Sequence, residues 1–321
     1  MEIIDLRHFT SADLRPLLEE ETEAWEHLLA WDYTSSADMI LRYVDARILP
    51  GYAAVERGRL HGYSFFVYEG GKGVIGDLFV ASESVNGGGH AIENRLITHV
   101  VETLQQSPGV RRIEAQLLVH NTGTVSRPFT EQGFRQFPRL FMTLPLSNMN
   151  ENGKGLKSAE ILSPAPFEIR PWSEQDYQPA ASLITTCYKG HVDSEINDQY
   201  RTTQGALRFL NNIVRFPGCG FFDAPASFVA TEKKTGAMVG LILCSRVKGD
   251  VGHITQVCVL PQFRGFHLGW ALMEASANSL RRRNFSLLSL TVTEANHNAV
   301  ELYKRLGFGI ERVFDAFVWE G

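Results

Sequence analysis

Hydrophobic and polar positions along this chain alternate between two periods, and the order of the changes occurs twice. In the second half, FEIRPW (167–172) predicts a short strand. SEQDYQPAASLITTCYK follows, opening on Ser173 with acids close behind it, the pattern of a capped helix start. A second helix is predicted over 198–214. ASFVATE, AMVGLILCSRV and VGHITQVCVL are rich in β-branched residues, with turns at 234–236 and 248–250, and predict three strands. Leu268, Leu272, Ala275 and Leu280 lie near one stripe of a helix over 267–283. A strand over 286–293 follows. A helix then carries Ala299, Leu302, Tyr303 and Leu306 at helical spacing, and the strand ERVFDAFVW ends the copy. The order βααβββαβαβ predicts an α/β (α+β) sandwich. Its sheet should be mixed, mostly antiparallel and flanked by helices.

The first half repeats the order more loosely. Strand EIIDLRHF leads to helices within 11–32 and 36–48, then strands GYAAVER, LHGYSFFVYE and GVIGDLFVA. A helix around 91–104 and strand RRIEAQLLV come next, and EQGF (131–134) echoes RLGF (305–308). The stretch 147–166, SNMNENGKGLKSAEILSPAP, is polar and rich in Gly, Asn, Ser and Pro, and reads as a linker. The sequence therefore predicts a duplicated fold: a domain over 1–146, a linker over 147–166 and a domain over 167–321.

Length agrees, since 321 residues suit about two domains. A net charge of −5 offers no field for nucleic acid. The short basic run Arg281–Arg283 reads as a helix C-terminus that complements the helix dipole. The first sixteen residues are charged throughout, and no apolar run approaches the ~18 residues of a membrane span. These features point to a cytoplasmic protein with no membrane partner. Cysteines 187, 219, 244 and 258 form no CxxC and have no metal-ligand spacing, so core thiols and no metal are expected.

The segment QFRGFHLGWALM (262–273) carries candidate chemistry. It joins a strand ending at Pro261 to a helix start, where free backbone N–H groups and a partial positive charge attract a phosphate. Gly265 and Gly269 permit close approach and Arg264 adds a cation. A dinucleotide fingerprint would need an early parallel βαβ unit with an acid about 20 residues on. A P-loop would need a Gly-Lys-Ser/Thr that is absent.

QFRGFHLG, the strand HITQVCVLP before it and NHNAVELYKRLGF (296–308) together resemble the GNAT superfamily of acetyl-CoA-dependent N-acetyltransferases. The loop resembles that family's Gln/Arg-x-x-Gly-x-Gly/Ala pattern, with His267 replacing the first motif glycine. The second segment is similar to Asn-x-x-Ala-x-x-Leu-Tyr-x-x-x-Gly-Phe at every fixed position. The likeness covers 167–319 well and 2–145 weakly. It implies acetyl-CoA as co-substrate. The pantetheine arm would lie along Val257, Cys258 and Val259, with the pyrophosphate on Arg264, Gly265, Phe266, His267, Leu268, Gly269 and Trp270. Asn296 would contact the arm or cap its helix. Tyr303 would stand near the thioester sulfur as an acid for the departing thiolate. The loop between the first two helices would roof the acceptor, bringing His191, Asp193 and Glu195 to it, with Gln256 on the strand below. Glu294 and His191 are candidate bases, because the attacking amine must lose a proton.

The first half lacks these features. Residues 82–91, SESVNGGGHA, have three glycines but no Arg. Phe129 stands for Tyr303, Pro128 for Leu302 and Thr122 for Asn296, and the proline predicts a shortened helix. This copy is expected to be degenerate and non-catalytic. The expected function is acetyl transfer to a primary amine of a small molecule or peptide, by direct attack in a ternary complex. The alternative is an acyl-CoA-binding sensor or scaffold that does not turn over; Tyr303 weighs against it, because a pure binder needs no leaving-group acid.

Overall fold

A computed structural model describes residues 1–82, 90–146, 164–215 and 220–321. The chain forms two compact units, Met1–Arg139 with Val313–Gly321, and Leu140–Arg312. The predicted domain edges at 146 and 167 thus differ from the unit edges. The first unit takes up the end of the chain, and the second begins inside a strand. Of the predicted linker, 147–163 lie outside the described residues.

In the first unit, β1 (Glu2–Asp5), β2 (Gly51–Glu56), β3 (Arg59–Glu69), β4 (Lys72–Val80) and β5 (Arg112–Gln116) are neighbours in that order. All pairs are antiparallel except β4 with β5. The sixth strand is the end of β13 (Gly309–Glu320), antiparallel to β5 from Ala316↔Gln116 to Glu320↔Arg112. Helices α1 (Ser11–Leu29) and α2 (Thr34–Asp45) supply Leu14, Leu18, Ile40 and Val44 to a core with Tyr63 and Phe79. Helix α3 (Ala91–Gln106) and the short α4 (Ser126–Glu131) supply Leu96, Val100 and Phe129 to a second core with Leu78, Ile113 and Phe317. Leu78 and Phe79 are adjacent in β4 yet belong to different cores, as strand alternation requires. Pro128 lies in the first turn of α4, where no backbone donor is lost, and the helix has six residues.

The second unit repeats this plan. Its strands run from β6 (Arg135–Pro145, of which Leu140 onward belongs here) through β12 (Leu287–Thr293), β11 (Val251–Val259), β10 (Met238–Lys248) and β9 (Phe228–Glu232) to β7 (Phe167–Pro171). A two-residue β8 (Phe221–Phe222) pairs with β10. Only β11 with β12 is parallel among the pairs whose register is described in this unit. Helix α5 (Tyr177–Cys187) covers one face with α7 (Thr203–Arg215), and the short α6 (Asp193–Ile196) lies in the segment between them. Helix α8 (Leu268–Arg282) packs on the other face, so close that a Cβ on Gly252 would meet Leu280 at 2.7 Å. Helix α9 (His297–Leu306) buries Val300, Tyr303 and Leu306. Among the described residues, no helix is long and apolar enough to cross a membrane.

Candidate active site

The site begins as a fork in the sheet of the second unit. Strands β11 and β12 pair from Val251↔Leu287 only to Ile254↔Leu290, although they continue to Val259 and Thr293. The break coincides with a bulge. Gln256 faces Leu243 and Ile254 faces Cys244, which leaves Thr255 as an extra residue that bends β11. Beyond it, the Leu260 N–H donates to the Val239 carbonyl on the β10 side. By alternation, the main-chain groups of Val257 and Val259 point to the edge that β12 has left.

At the end of β11, a 3-10 turn over Pro261–Phe263 leads into α8. The Arg264 N–H is already taken by the Pro261 carbonyl at 3.2 Å, so Arg264 has only its exposed guanidinium to offer. Gly265 has φ +87°, a glycine conformation. His267 is the N-cap of α8 with φ +59°, and its exposed side chain makes no capping bond. A histidine here holds the left-handed turn that a glycine would hold without strain. The first-turn amides of α8 point out of the helix without an intrahelical acceptor. A Cβ on Gly269 would meet only Leu302, at 3.5 Å, so packing within the protein does not demand glycine there. Phe167 packs edge-to-face on Phe263 and Phe266, both at 5.5 Å, and fixes the loop from β7.

On the α5 side of the fork, the buried Tyr188 hydroxyl donates to Gln256 Oε1 at 2.9 Å. Gln256 is itself buried, and its Nε2 has no hydrogen-bond partner. Tyr188 also packs on Tyr200 at 4.5 Å and on His191 at 5.2 Å. His191 Nδ1 accepts the Asp193 N–H at 3.2 Å and lies 3.6 Å from the Asp193 carboxylate. The Asp193 carboxylate also accepts a hydrogen bond from the Thr293 hydroxyl, tying α6 to the end of β12. Tyr303 is buried, and burial, then the charges of Asp193 and Cys258, raise its phenol above the usual tyrosine range. Cys187 and Cys258 share a thiol hydrogen bond, which lowers the first thiol and raises the second.

The fold therefore gathers Gln256, Cys258, Asp193, His191 and Tyr303 around Tyr188. Glu195 lies half-buried in α6. Glu294 is exposed in the turn after β12, with no hydrogen bond or ion pair among the described residues. Asn296 acts as a cap: its Oδ1 accepts from the Ala299 N–H at 3.4 Å. His253, on the same strand as Gln256, sits in the paired part and bonds Ser289 at 2.9 Å, away from the fork's open edge. Sequence reading missed Tyr188, Tyr200, Thr293 and the Cys187–Cys258 contact. Tyr188 stands beside the roof residues in CYKGH, so its aromatic character was the one available signal. The cysteine contact joins positions far apart in sequence and gives none. Cys219 lies outside the described residues.

The first unit has the same fork, but at Leu78 its edge is already bonded. Strand β4 pairs with β5 only to Ile75↔Ala115, and the bulge falls at Gly76. The bulge aligns Leu78 with Val257 and Asp77 with Gln256. The Leu78 N–H donates to Asp77 Oδ1 at 2.8 Å, and its carbonyl is bonded by His120 Nε2 at 2.8 Å. Asp77 accepts from the Tyr33 hydroxyl at 2.9 Å. Buried Glu21 hydrogen-bonds Asp77 and accepts from Tyr63 and Trp25. Burial, then the charge of Asp77, raises the Glu21 carboxyl well above the usual range. Thr122, matched with Asn296, bonds Asp315 of β13 at 2.7 Å, and Asp315 also accepts from the Gly123 N–H. The glycine loop predicted over 82–91 lies largely outside the described residues.

Residues 191–308 match the acetyltransferase (GNAT) family. Over 148 residues the chain is 35% identical to an uncharacterized N-acetyltransferase of Methanocaldococcus jannaschii, spanning 44% of this chain and 60% of the relative. It is 38% identical over 94 residues to a mycothiol acetyltransferase of Thermobispora bispora, covering 27% and 31% of the two chains. An N-alpha-acetyltransferase of Sulfurisphaera tokodaii is 34% identical over 71 residues, 22% of this chain and 42% of that one. The chain thus spans between 31% and 60% of the length of these curated relatives. The fold is similar along almost the whole chain to a GCN5-related N-acetyltransferase from Sphaerobacter thermophilus. That match has a TM-score of 0.68 at 16% identity, covering 99% of this chain and 95% of that one. A tandem GNAT protein from the clavulanic acid biosynthesis pathway matches with a TM-score of 0.60 at 16% identity, covering 99% and 98%.

Proposed function

This chain belongs to the GNAT superfamily and carries its fold in tandem, and on that premise we propose that its second unit transfers an acetyl group from acetyl-CoA to a primary amine by direct attack in a ternary complex. The open edge at Val257 and Val259 carries this reading. Acetyl-CoA would supply the activated acyl group. The main-chain groups of Val257 and Val259 would bond the pantetheine amides as an added strand does. The amides of Gly265 to Trp270 and the Arg264 guanidinium would hold the pyrophosphate. Asp193 holds the incoming ammonium beside Thr293, and the His191–Asp193 pair takes its proton. Holding the two reactants together supplies much of the acceleration. Tyr303 is protonated at neutral pH, as a phenol in or above the ordinary tyrosine range is, and it gives that proton to the departing thiolate.

The test is release of free thiol from acetyl-CoA with a panel of primary amines, using the full chain. Thiol release that tracks amine concentration, with N-acetylated product by mass, supports transfer. Tight CoA binding with no amine-dependent thiol release would leave a binding protein instead.

A further inference from the structure

The acceptor face of the fork holds a donor with nothing to donate to. Gln256 is 5% exposed, its Oε1 is occupied by Tyr188, and its Nε2 has no partner. An amide cannot lose this burden by changing its charge, and a buried polar group without a partner costs about 1–3 kcal/mol. The first unit shows how the fold satisfies the same position from within. There Asp77 receives the Tyr33 hydroxyl, as Gln256 receives that of Tyr188, and the carboxyl of Glu21 completes it. In the second unit, the strand residue that matches Tyr63 across the sheet is Leu241, which has no polar head to offer. Gln256 also shares its face with Cys258 and Tyr188, under α5, while Val257 and Val259 project to the α8 side. Its amide therefore belongs to the acceptor's side of the fork rather than to the pantetheine.

We propose that Gln256 Nε2 donates a hydrogen bond to an oxygen of the acceptor, so that the substrate is an amine bearing a carbonyl or hydroxyl oxygen three bonds from the nitrogen. This deepens the acetyl-transfer reading and rests on it. Asp193 and Gln256 flank Tyr188 and give two-point recognition, a carboxylate for the ammonium and an amide N–H for the oxygen. Because the nitrogen is buried, the acceptor reaches it only by displacing side chains that cover it. The shared chemistry occurs in free amino alcohols or amino acid derivatives and at peptide N-termini.

The test compares 2-amino-1-propanol with 2-aminobutane, which replaces the hydroxyl by a methyl of similar size. The ratio of their kcat/KM values is measured for wild type and for Gln256→Met, which keeps the volume and loses the donor. Comparing ratios between variants cancels the difference in amine basicity. Wild type should favour the amino alcohol by about ten- to a hundredfold, and Gln256→Met should lose most of that preference. Thermal melting and CoA affinity report whether Gln256→Met is folded. If it is not, the double variant Gln256→Met with Tyr188→Phe serves, because it removes the amide N–H without leaving the Tyr188 hydroxyl unpaired. Trialanine forms a third arm. Faster turnover of trialanine points to a peptide N-terminus, and slower turnover to a free small molecule. Equal ratios in wild type and variant would overturn the proposal while leaving acetyl transfer intact. Absence of amine-dependent thiol release with all three acceptors would instead remove the transfer reading, and this proposal with it.

Discussion

Two forks of the same construction have opposite fates in this chain. Both arise where a bulge bends a strand away from its parallel neighbour, at Thr255 in β11 and at Gly76 in β4. In the second unit, the main-chain groups of Val257 and Val259 face an edge that β12 has left. In the first, Leu78 spends its N–H on Asp77 and its carbonyl on His120. A peptide-like ligand can add to a strand edge only where donors and acceptors are unspent. The comparison teaches that two copies of one fold can differ in which strand-edge groups stay free while the backbone course is kept. Here two polar side chains at the strand edge, Asp77 and His120, are enough to spend the main-chain groups of Leu78, and the surrounding sheet is kept.

The largest effect should come from making the second copy resemble the first at the residue proposed as the acid. Tyr303→Phe copies Phe129 and should lower kcat by about a hundred- to ten-thousandfold, with CoA affinity little changed. Steady-state kinetics with an accepted amine, beside calorimetry with CoA, measures both. An unchanged kcat under rate-limiting chemistry would make Tyr303 a core residue alone.

Next is the cofactor contrast itself. Hydrogen exchange with saturating CoA should slow amides from Val257 to Trp270 and leave those of Leu78 and Val80 unaffected. Gly269→Val should weaken CoA more than tenfold, about 1.4 kcal/mol. The protein has room for a Cβ there, so crowding would fall on the ligand. Protection at β4 instead would reverse the assignment of the two copies.

The buried acids of the first unit predict a pH effect of defined sign. Folding raises the Glu21 carboxyl above its ordinary value of 4.5, so the folded chain holds a proton that the unfolded chain releases. Stability should therefore fall as pH rises from about 4.5 toward the raised folded value. Glu21→Gln should flatten that slope in melting curves. A Glu21→Gln protein that loses stability with pH as steeply as wild type would locate the titration elsewhere.

The smallest effect is at His267. Its left-handed conformation costs a non-glycine residue about 1 kcal/mol, so His267→Gly should raise the melting temperature by a few degrees and retain CoA binding. Loss of binding in His267→Gly would show that the imidazole itself holds the ligand.

Much of this was legible in the residues. The 3.6- and 2-residue periods gave the element order of both copies, because each helix and strand must bury one stripe or face. The loop QFRGFHLG and the segment NHNAVELYKRLGF marked the helix start and Tyr303, since capping and anion binding are local chemistry. The shortened helix of the first copy was visible in Pro128.

Contacts between distant positions were not legible. Nothing near residue 315 announces that Asp315 caps the turn at Thr122, or that the end of the chain pairs with β5 in the first unit. An amphipathic strand carries the same pattern whichever partner it joins. Likewise, a glutamine in a strand reads alike whether its amide is satisfied or waiting. Sequence by itself determined the order of the main elements, their repetition and the helix start after His267. Only tertiary structure decided which edge stays open, which carboxylate meets Thr293 and which donor lacks a partner. Satisfaction of a polar group depends on what the fold brings within about 3 Å of it, and no local pattern encodes that.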